Sequence, residues 1–218
     1  MFFNFHTHHI DPEVACMLNA DFQTTLPHHT PLSVGIHPWN VDDSWEEKMA
    51  QLRPVASNSH VWAIGECGLD KVRGRALPLQ IEAFKAQTVL AEELQKPVVI
   101  HCVKAFDVLL NLRKEQTKRA ATQPWVIHGF RGNPILAKQL ISAGILLSLS
   151  PQCPIDTLRE IFSLHCSFFL ETDDLPCSVR QIYEQVCHHL GVDDSHLYDL
   201  CDPLQTIFRH HAKDGGLL

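Results

Sequence analysis

The chain has 218 residues, of which 45% are apolar and 20% are charged, and its formal net charge is -7. This composition excludes a disordered chain, and the acidic balance excludes a protein that coats nucleic acid by positive charge alone. No apolar run approaches the length of a membrane span, and the N-terminus lacks the pattern of a signal peptide, so we expect a cytosolic protein. The length suits one sizeable domain, and we expect a single domain over residues 1–218.

The first predicted strand, residues 2–8, carries two histidines two positions apart. In a strand, alternate side chains point to the same face, so His6 and His8 should lie side by side, with Phe3 and Phe5 on the opposite face. Two imidazoles held together in this way can form half of a metal site. The alternative is a surface pair of histidines, and the choice depends on whether later strands end in the same way.

Strands and helices alternate along the rest of the chain. Further strands are predicted at residues 32–36, 61–66, 97–101, 125–128, 145–149 and 167–171. Helices are predicted at residues 44–52, 78–95, 105–118, 134–143 and 154–163, followed by two helices over about 178–213 with a break near Gly191. The strands are nearly continuous apolar runs, which is typical of a parallel sheet buried on both faces.

We therefore expect an α/β fold, a TIM-like (β/α) barrel that is distorted and has seven clear strands and no clear eighth. A doubly wound open sheet is the alternative. The barrel is favoured because metal-competent side chains lie at the ends of strands spread along the whole chain, and active sites in such barrels collect at that face. These side chains are His6, His8, His37, Glu66, His101, His128 and Asp173.

Each of these residues alone could be a hydrogen-bonded loop residue. Together, imidazoles and carboxylates in these numbers suit two borderline cations such as Zn²⁺ or Mn²⁺, and the carboxylates also tolerate Mg²⁺. The eight cysteines include no Cys-x-x-Cys pair, and in a chain without a secretion signal we expect reduced thiols and not disulfides.

Six short motifs occur in order along the chain and together resemble the TatD family of metal-dependent deoxyribonucleases, which have amidohydrolase-like barrels. Gln80 and Phe84 fall where the Q-x-x-x-F helix signature of that family lies. The resemblance runs from residue 3 to about 176. The motifs are Phe-His-Thr-His at 5–8, Gly-Ile-His-Pro at 35–38, Ile-Gly-Glu-Cys-Gly-Leu-Asp at 64–70, Pro-Val-Val-Ile-His at 97–101, His-Gly-Phe-Arg-Gly at 128–132 and Leu-Glu-Thr-Asp at 170–173.

The resemblance implies a dinuclear site for divalent ions, Mg²⁺, Mn²⁺ or Zn²⁺. His6, His8 and Asp173 would hold the first ion. Glu66 would bind both ions. His101 and His128 would hold the second ion. Such a pair of ions can activate a water molecule and stabilise both the entering and the leaving oxygen of a phosphodiester.

The same resemblance assigns three catalytic residues. Asp173 would act as general base on the attacking water, and Glu66 would offset part of the repulsion between the two ions. His37 would touch the scissile phosphate or the leaving group and would not be a permanent ligand. The expected activity is therefore a TatD-type deoxyribonuclease or phosphodiesterase.

The expected substrate is DNA, either single-stranded or as an accessible end, and no membrane or protein partner is indicated. Arg73, Lys104 and Arg131 are the candidate contacts to its phosphates. Arg73 belongs to a basic loop with Lys71 and Arg75, for which a solvated surface is the alternative interpretation.

The chain departs from the family pattern at three places. Asn4 stands where the family usually has an aspartate, Val103 followed by Lys104 stands where it usually has an arginine, and Cys177 follows Pro176 where an Asn-x-Pro segment is usual. These departures leave two alternatives open. One is an amidohydrolase-like enzyme acting on a small-molecule amide, lactone or ester, and the other is a degenerate barrel without catalysis.

Overall fold

The computed structural model describes residues 2–27, 29–118, 123–202 and 207–208. Eight strands form one sheet, and their order in the sheet follows their order in the chain. The strands are β1 (Phe3–Thr7), β2 (Ala15–Asn19), β3 (Leu32–Val34), β4 (Val61–Asp70), β5 (Val98–Val103), β6 (Trp125–Phe130), β7 (Ile145–Leu149) and β8 (Phe169–Leu170). The pairs β1–β2, β3–β4, β4–β5, β5–β6 and β7–β8 are all parallel.

Helices connect most of these strands, as parallel pairing requires. They are α1 (Trp45–Ala56), α2 (Leu77–Leu94), α3 (Phe106–Gln116), α4 (Pro134–Ser142), α5 (Ile155–Ser163), α6 (Val179–Leu190) and α7 (Asp194–Cys201), with a short 3-10 helix at Pro38–Asn40. The last strand returns to the first, because Thr7 and Asp173 form a parallel bridge beyond the end of β8. The predicted TIM-like barrel is therefore confirmed.

Contacts divide the chain into two compact units. Unit 1 comprises Met1–Leu18 and His128–Leu218, and unit 2 comprises Asn19–Ile127. In unit 1, Phe5 stacks on Phe169 with the ring centroids 4.5 Å apart, which packs β1 against β8. In unit 2, the core contains the fully buried strands β3 and β4. The single domain expected from the sequence stays a prediction.

The structure has an eighth strand, β2, that the sequence analysis missed. It lies between the first and second predicted strands, in a stretch interpreted as polar and turn residues, and not near the C-terminus. Its sequence Ala-Cys-Met-Leu-Asn buries Cys16 and Met17. Five residues flanked by charged residues such as Asp11 and Asp21 give too short an apolar pattern to separate from a loop.

Strand β4 is longer than predicted and continues through Glu66 to Asp70, with every residue buried. Gly68 makes this extension possible. Its φ is +142°, and a Cβ atom there would lie 2.0 Å from the His101 carbonyl oxygen. Gly68 therefore lets β4 approach β5 closely, at the point where Gly68 pairs with His101 in the sheet.

The predicted helices are confirmed, with small shifts at their ends. Ser44 precedes α1 as expected, but its hydroxyl donates to Asp42 Oδ1 at 2.6 Å and makes no cap bond to the helix. At the other end of α1, the buried Lys96 ammonium donates to the carbonyls of Ala56 and Asn58. Burial lowers the pKa of Lys96 to about 8.

The C-terminal helices break at Gly191 as predicted, where Gly191 ends α6 in the left-handed conformation with φ 68°. The last helix was predicted to extend to about residue 213. Of that extension, residues 203–206 and 209–213 lie outside the described residues. All eight cysteines are free thiols, as expected. No helix within the described ranges is long and apolar enough to cross a membrane.

Candidate metal centre

The first group of donors lies in unit 1, where β1 and β8 end. His6 Nε2 is 3.7 Å from Asp173 Oδ1, and His8 Nε2 is 3.5 Å from the same oxygen. The His6 side chain is fully buried, whereas His8 is 39% and Asp173 is 33% exposed. Solvent therefore reaches Asp173 and His8, while His6 forms the floor of the group.

Backbone hydrogen bonds fix Asp173 in an uncommon conformation, with φ at 56°. Its N–H donates to the His6 carbonyl at 3.0 Å, and its carbonyl accepts from the His8 N–H at 3.0 Å. A non-glycine residue in this region costs energy, and it persists where the surroundings determine it. The two backbone bonds therefore determine the position of the Asp173 carboxylate relative to both histidines.

Asn4 supports the same group through hydrogen bonds to Thr172, the residue before Asp173. Its side-chain amide donates to Thr172 Oγ1 at 2.8 Å, and its Oδ1 accepts from the Thr172 N–H at 3.0 Å. The Thr172 hydroxyl in turn donates to Thr7 Oγ1 at 3.1 Å. Asn4 thus makes two buried bonds to the residue before Asp173 and is a supporting residue of the site.

His128 joins this group from the end of β6. Its ring centroid lies 4.2 Å from that of His6, and its Nδ1 lies 3.3 Å from Glu171 Oε1. The same Glu171 oxygen accepts from the Gly129 N–H at 2.6 Å. Because a carboxylate oxygen accepts here, the arrangement favours a proton on Nδ1 of His128 and a lone pair on Nε2.

The second group of donors lies in unit 2 around Glu66. Glu66 Oε1 is 2.9 Å from His101 Nδ1 and 3.2 Å from His37 Nε2. The Glu66 side chain is 6% exposed, and the histidines are 14% and 17% exposed. Asn19 on β2 orients Glu66, because its Oδ1 accepts from the Glu66 N–H at 3.0 Å.

Asp70 lies on the other side of His101. Its Oδ2 is 3.3 Å from His101 Nε2 and accepts from the Trp39 indole N–H at 2.7 Å. Its Oδ1 accepts from the backbone N–H groups of Val72 and Arg73 at 2.7 and 2.9 Å. Burial would raise the pKa of Asp70, but these hydrogen bonds outweigh it and hold the pKa below 3.8.

The backbone identifies the protonation pattern of His37. Its Nδ1 accepts from the Trp39 N–H at 3.1 Å, so the proton of the neutral ring is on Nε2. Nε2 is the atom that faces Glu66. His37 therefore presents a hydrogen-bond donor to the site, and its role there stays a prediction.

The donor sets fit a divalent ion in each unit. The ligand atoms of His6, His128 and Asp173 lie within 4.8 Å of one another, and so do those of His37, Glu66 and His101. Because His37 presents an N–H, Glu66 and His101 are the candidate ligands of the second group. Nitrogen and carboxylate oxygen donors in these proportions suit Zn²⁺ or Mn²⁺. The described residues therefore contain groups able to hold metal ions.

The family of the chain follows from its sequence. The sequence model of the family described as TatD related DNase matches residues 19–201, which is more than half of the chain. The chain belongs to the TatD family. The resemblance that the six motifs indicated is thus confirmed.

Two relatives named 3'-5' ssDNA/RNA exonuclease TatD show the same membership over most of their length. The protein from Cronobacter sakazakii is 34% identical over 198 residues, covering 76% of this chain and 71% of the relative. The protein from Pectobacterium atrosepticum is 32% identical over 205 residues, covering 81% and 77%. For the relative of the same name from Yersinia pseudotuberculosis, the match spans 45% of that protein at 34% identity. The chain thus spans about half the length of the first of its curated relatives.

Solved TatD structures share the fold. A TatD homologue from Escherichia coli K12 has a TM-score of 0.71 at 18% identity and covers 91% of this chain and 94% of its own. A TatD family hydrolase from Entamoeba histolytica has a TM-score of 0.74 at 13% identity and covers 95% and 98%.

The predicted phosphate contacts of this TatD chain separate into two kinds. Lys71 and Arg75 pair with surface carboxylates, Asp107 at 2.7 Å and Asp43 at 2.9 Å, so they fit the solvated-surface interpretation. The Arg73 guanidinium instead lies 3.8 Å from the centre of the Trp39 ring, beside His37. Lys104 and Arg131 are exposed, and the Arg131 guanidinium donates to Gln152.

The sequence analysis missed four residues of the TatD site that hold the donors in place. Glu171 and Asp70 lie inside quoted motifs, where a carboxylate next to a strand end was the available signal. Asn19 lies on the missed strand β2, and Trp39 follows the motif of His37 without any polar pattern to mark it. The four are Asn19, Trp39, Asp70 and Glu171.

Proposed function

We propose that the chain is a metal-dependent nuclease of TatD type that hydrolyses phosphodiester bonds of single-stranded nucleic acid, DNA above all. The observation that supports this most is that each unit of a TatD chain contains a histidine–carboxylate group at the ends of its strands. The relatives named as 3'-5' exonucleases of single-stranded DNA and RNA support the substrate class and the direction. The cytosolic location expected from the sequence is part of this proposal.

The metal ligands proposed are those of the sequence analysis, and two ions are proposed. His6, His8 and Asp173 would hold the first ion in unit 1. His101 would hold the second in unit 2, with Glu66 serving both. His128 is proposed for the second ion as in the sequence analysis, although its ligand atom lies within 4.8 Å of those of His6 and Asp173. Bound divalent ions would lower the pKa of a water molecule and stabilise charge on the phosphodiester.

Asp173 is proposed as the general base. Its carboxylate is the most solvent-exposed oxygen donor of the two groups, at 33%, so a water molecule can reach it. The two backbone bonds to His6 and His8 keep it in place while it takes the proton of the attacking water. Proton transfer by a positioned side chain contributes about 10²–10⁴-fold to a rate.

His37 is proposed as a donor to the phosphate or the leaving oxygen. Its Nε2 proton faces the site because the Trp39 N–H occupies Nδ1. A hydrogen-bond donor placed where charge develops stabilises the transition state more than the ground state. Arg73, next to it on the Trp39 ring, is the strongest of the proposed phosphate contacts, ahead of Lys104 and Arg131.

A gel assay with 5′-labelled single-stranded DNA tests the proposal. The parent protein, loaded in turn with Mg²⁺, Mn²⁺ or Zn²⁺, should shorten the strand stepwise from its 3′ end. Asp173→Asn should lower the rate by about 10²–10⁴-fold. Asp174→Asn is the matched control, because Asp174 is the exposed neighbour in sequence, and it should keep the parent rate.

Two results would contradict the proposal. The first is a parent-like rate in Asp173→Asn, which would remove the general base. The second is no shortening with any of the three ions in protein that binds metal. That result would favour the amidohydrolase-like alternative, for which a small ester or lactone is the next substrate to try.

A further inference from the structure

Asp70 is a buried carboxylate that the proposed function does not use. It is 3% exposed and sits at the end of β4, two residues after Gly68, which pairs with His101 in the sheet. Its two oxygens have separate partners. Oδ1 accepts from two backbone N–H groups of the following loop, at Val72 and Arg73. Oδ2 faces two side chains, the Trp39 indole and the His101 ring.

The His101 ring lies between two carboxylates. Its Nδ1 is 2.9 Å from Glu66 Oε1, and its Nε2 is 3.3 Å from Asp70 Oδ2. A neutral imidazole has one N–H and one lone pair, and it binds a metal ion through the lone pair. If the proton is on Nε2, the lone pair on Nδ1 faces Glu66. If the proton is on Nδ1, the lone pair on Nε2 faces Asp70.

We propose that Asp70 is a positioning residue that keeps the His101 proton on Nε2, so that the Nδ1 lone pair faces Glu66 and binds the metal ion. The proposal rests on the proposed function in that it names a further residue of the same metal site. When one ring nitrogen of a histidine binds a metal ion, a carboxylate that accepts from the N–H of the other nitrogen fixes both the tautomer and the orientation of the ring.

Trp39 makes this assignment firmer. Its indole N–H donates to Asp70 Oδ2 at 2.7 Å, which fixes the carboxylate rotamer with that oxygen between the two rings. The Trp39 and His101 ring centroids are 5.5 Å apart. The backbone N–H of the same tryptophan binds His37 Nδ1. Trp39 thus favours an Nε2 proton on His37 that points toward Glu66. Through Asp70, it also favours an Nε2 proton on His101 that points away from Glu66.

Asp70→Asn separates this role from a purely structural one. Asparagine keeps an oxygen for the Val72 and Arg73 N–H groups, so the loop retains its bonds. Its NH₂ group then meets the two donors at Trp39 and His101. We expect the His101 proton to move to Nδ1, where it blocks metal binding.

The first measurement is the Zn²⁺ affinity of metal-free, full-length protein, determined by competition with a chromophoric chelator. Asp70→Asn should bind Zn²⁺ more weakly by about 10–100-fold, the range seen when such outer carboxylates are removed. Asp107→Asn is the matched control. Asp107 is a 71% exposed carboxylate paired with Lys71, and its variant should keep the parent affinity. Equal affinities of Asp70→Asn and the parent would overturn the proposal.

The second measurement is ¹⁵N NMR of Zn²⁺-loaded parent protein with labelled histidine, in which His101→Gln identifies the His101 signals. Nε2 should carry a proton and Nδ1 should show the shift of a metal-bound nitrogen. A metal-bound Nε2 would overturn the proposal. If Asp70→Asn does not fold, Trp39→Phe replaces it: it should lower the Zn²⁺ affinity several-fold, and parent affinity in that variant would also count against the proposal.

Neither measurement requires nuclease activity. Protein that shows the expected tautomer and the weakened Zn²⁺ binding but shortens no nucleic acid would contradict the proposed function and leave the role of Asp70 standing. Active protein in which Nε2 binds the metal would do the reverse.

Discussion

Gln80 holds together the turn between β4 and α2, and its removal should have a measurable cost. The side chain is fully buried. Its Oε1 accepts from the Asp70 N–H at 2.8 Å, and its Nε2 donates to the carbonyls of Asp70 and Arg75 at 3.0 and 2.7 Å. One amide thus closes the loop that follows the strand carrying Glu66.

Gln80→Ala removes these three bonds at once, together with a longer one of 3.4 Å to the Arg73 carbonyl. The Arg75 carbonyl lies in exposed loop and can turn to water, so its bond is worth about 1 kcal/mol, whereas the two buried Asp70 groups cost about 1–2 kcal/mol each when left without a partner. Alanine has a slightly higher helix propensity than glutamine, which returns about 0.3 kcal/mol. The expected loss in the free energy of unfolding is therefore about 3–5 kcal/mol.

Urea denaturation followed by circular dichroism measures this loss. Glu82→Ala, an exposed position on the same helix α2, is the control and should stay within about 0.5 kcal/mol of the parent. A loss under about 1 kcal/mol in Gln80→Ala would show that water or a rearranged loop replaces the amide, and the reasoning would then fail.

Three further results are expected. Gly68→Ala should lower the free energy of unfolding by more than about 3 kcal/mol, because the new methyl group would clash with the His101 carbonyl. Gly191→Ala is the control: its methyl group would meet no atom within 4 Å, and it should lose only about 1–2 kcal/mol. Similar losses in thermal unfolding of the two variants would contradict the close approach of β4 to β5. Between pH 8 and 10.5 the folded chain should have released the Lys96 proton that the unfolded chain still holds. The free energy of unfolding of the parent, relative to that of Lys96→Met, should therefore rise with pH by at most about 1.4 kcal/mol per pH unit. Urea midpoints of the two proteins that change in parallel with pH would refute this expectation. Zn²⁺ at about 100 times its dissociation constant should stabilise the parent by about 2.7 kcal/mol in calorimetry, and the increment should shrink in Glu66→Ala; an equal increment would argue against Glu66 as a ligand.

The order of strands and helices was predictable because buried parallel strands are nearly continuous apolar runs. The strand at 145–149 and the helix at 134–143 illustrate this, since the structure has them at Ile145–Leu149 and Pro134–Ser142. Strand β2 was not predictable in the same way. Only two of its five residues are buried, so its apolar pattern is weak, and its pairing with β1 depends on tertiary structure.

The candidate donors could be chosen from their position alone, because each follows an apolar run at the end of a strand, and their role as ligands stays a prediction. The residues that support them could not be chosen in this way. Glu171 and Asp70 are carboxylates, as the candidate ligands Glu66 and Asp173 are. Only the distances in the structure distinguish a carboxylate that supports a histidine ring from one that lies among the candidate ligands. Trp39 acts through one indole N–H, and no periodicity in the sequence marks that.

The composition of unit 1 has a consequence for the order in which the chain can fold. Asn4 and Thr172, which bind each other twice, are 168 positions apart, whereas unit 2 is one continuous segment. Closing so long a loop has an entropic cost that local contacts do not have. Unit 2 can therefore form while the chain is still being synthesised, but β1 must wait for residues after His128. Pulsed hydrogen exchange during refolding should protect amides of β4 and β5 before those of β1, and the opposite order would contradict this. The histidines nearest the start of the chain would then be among the last to reach their places.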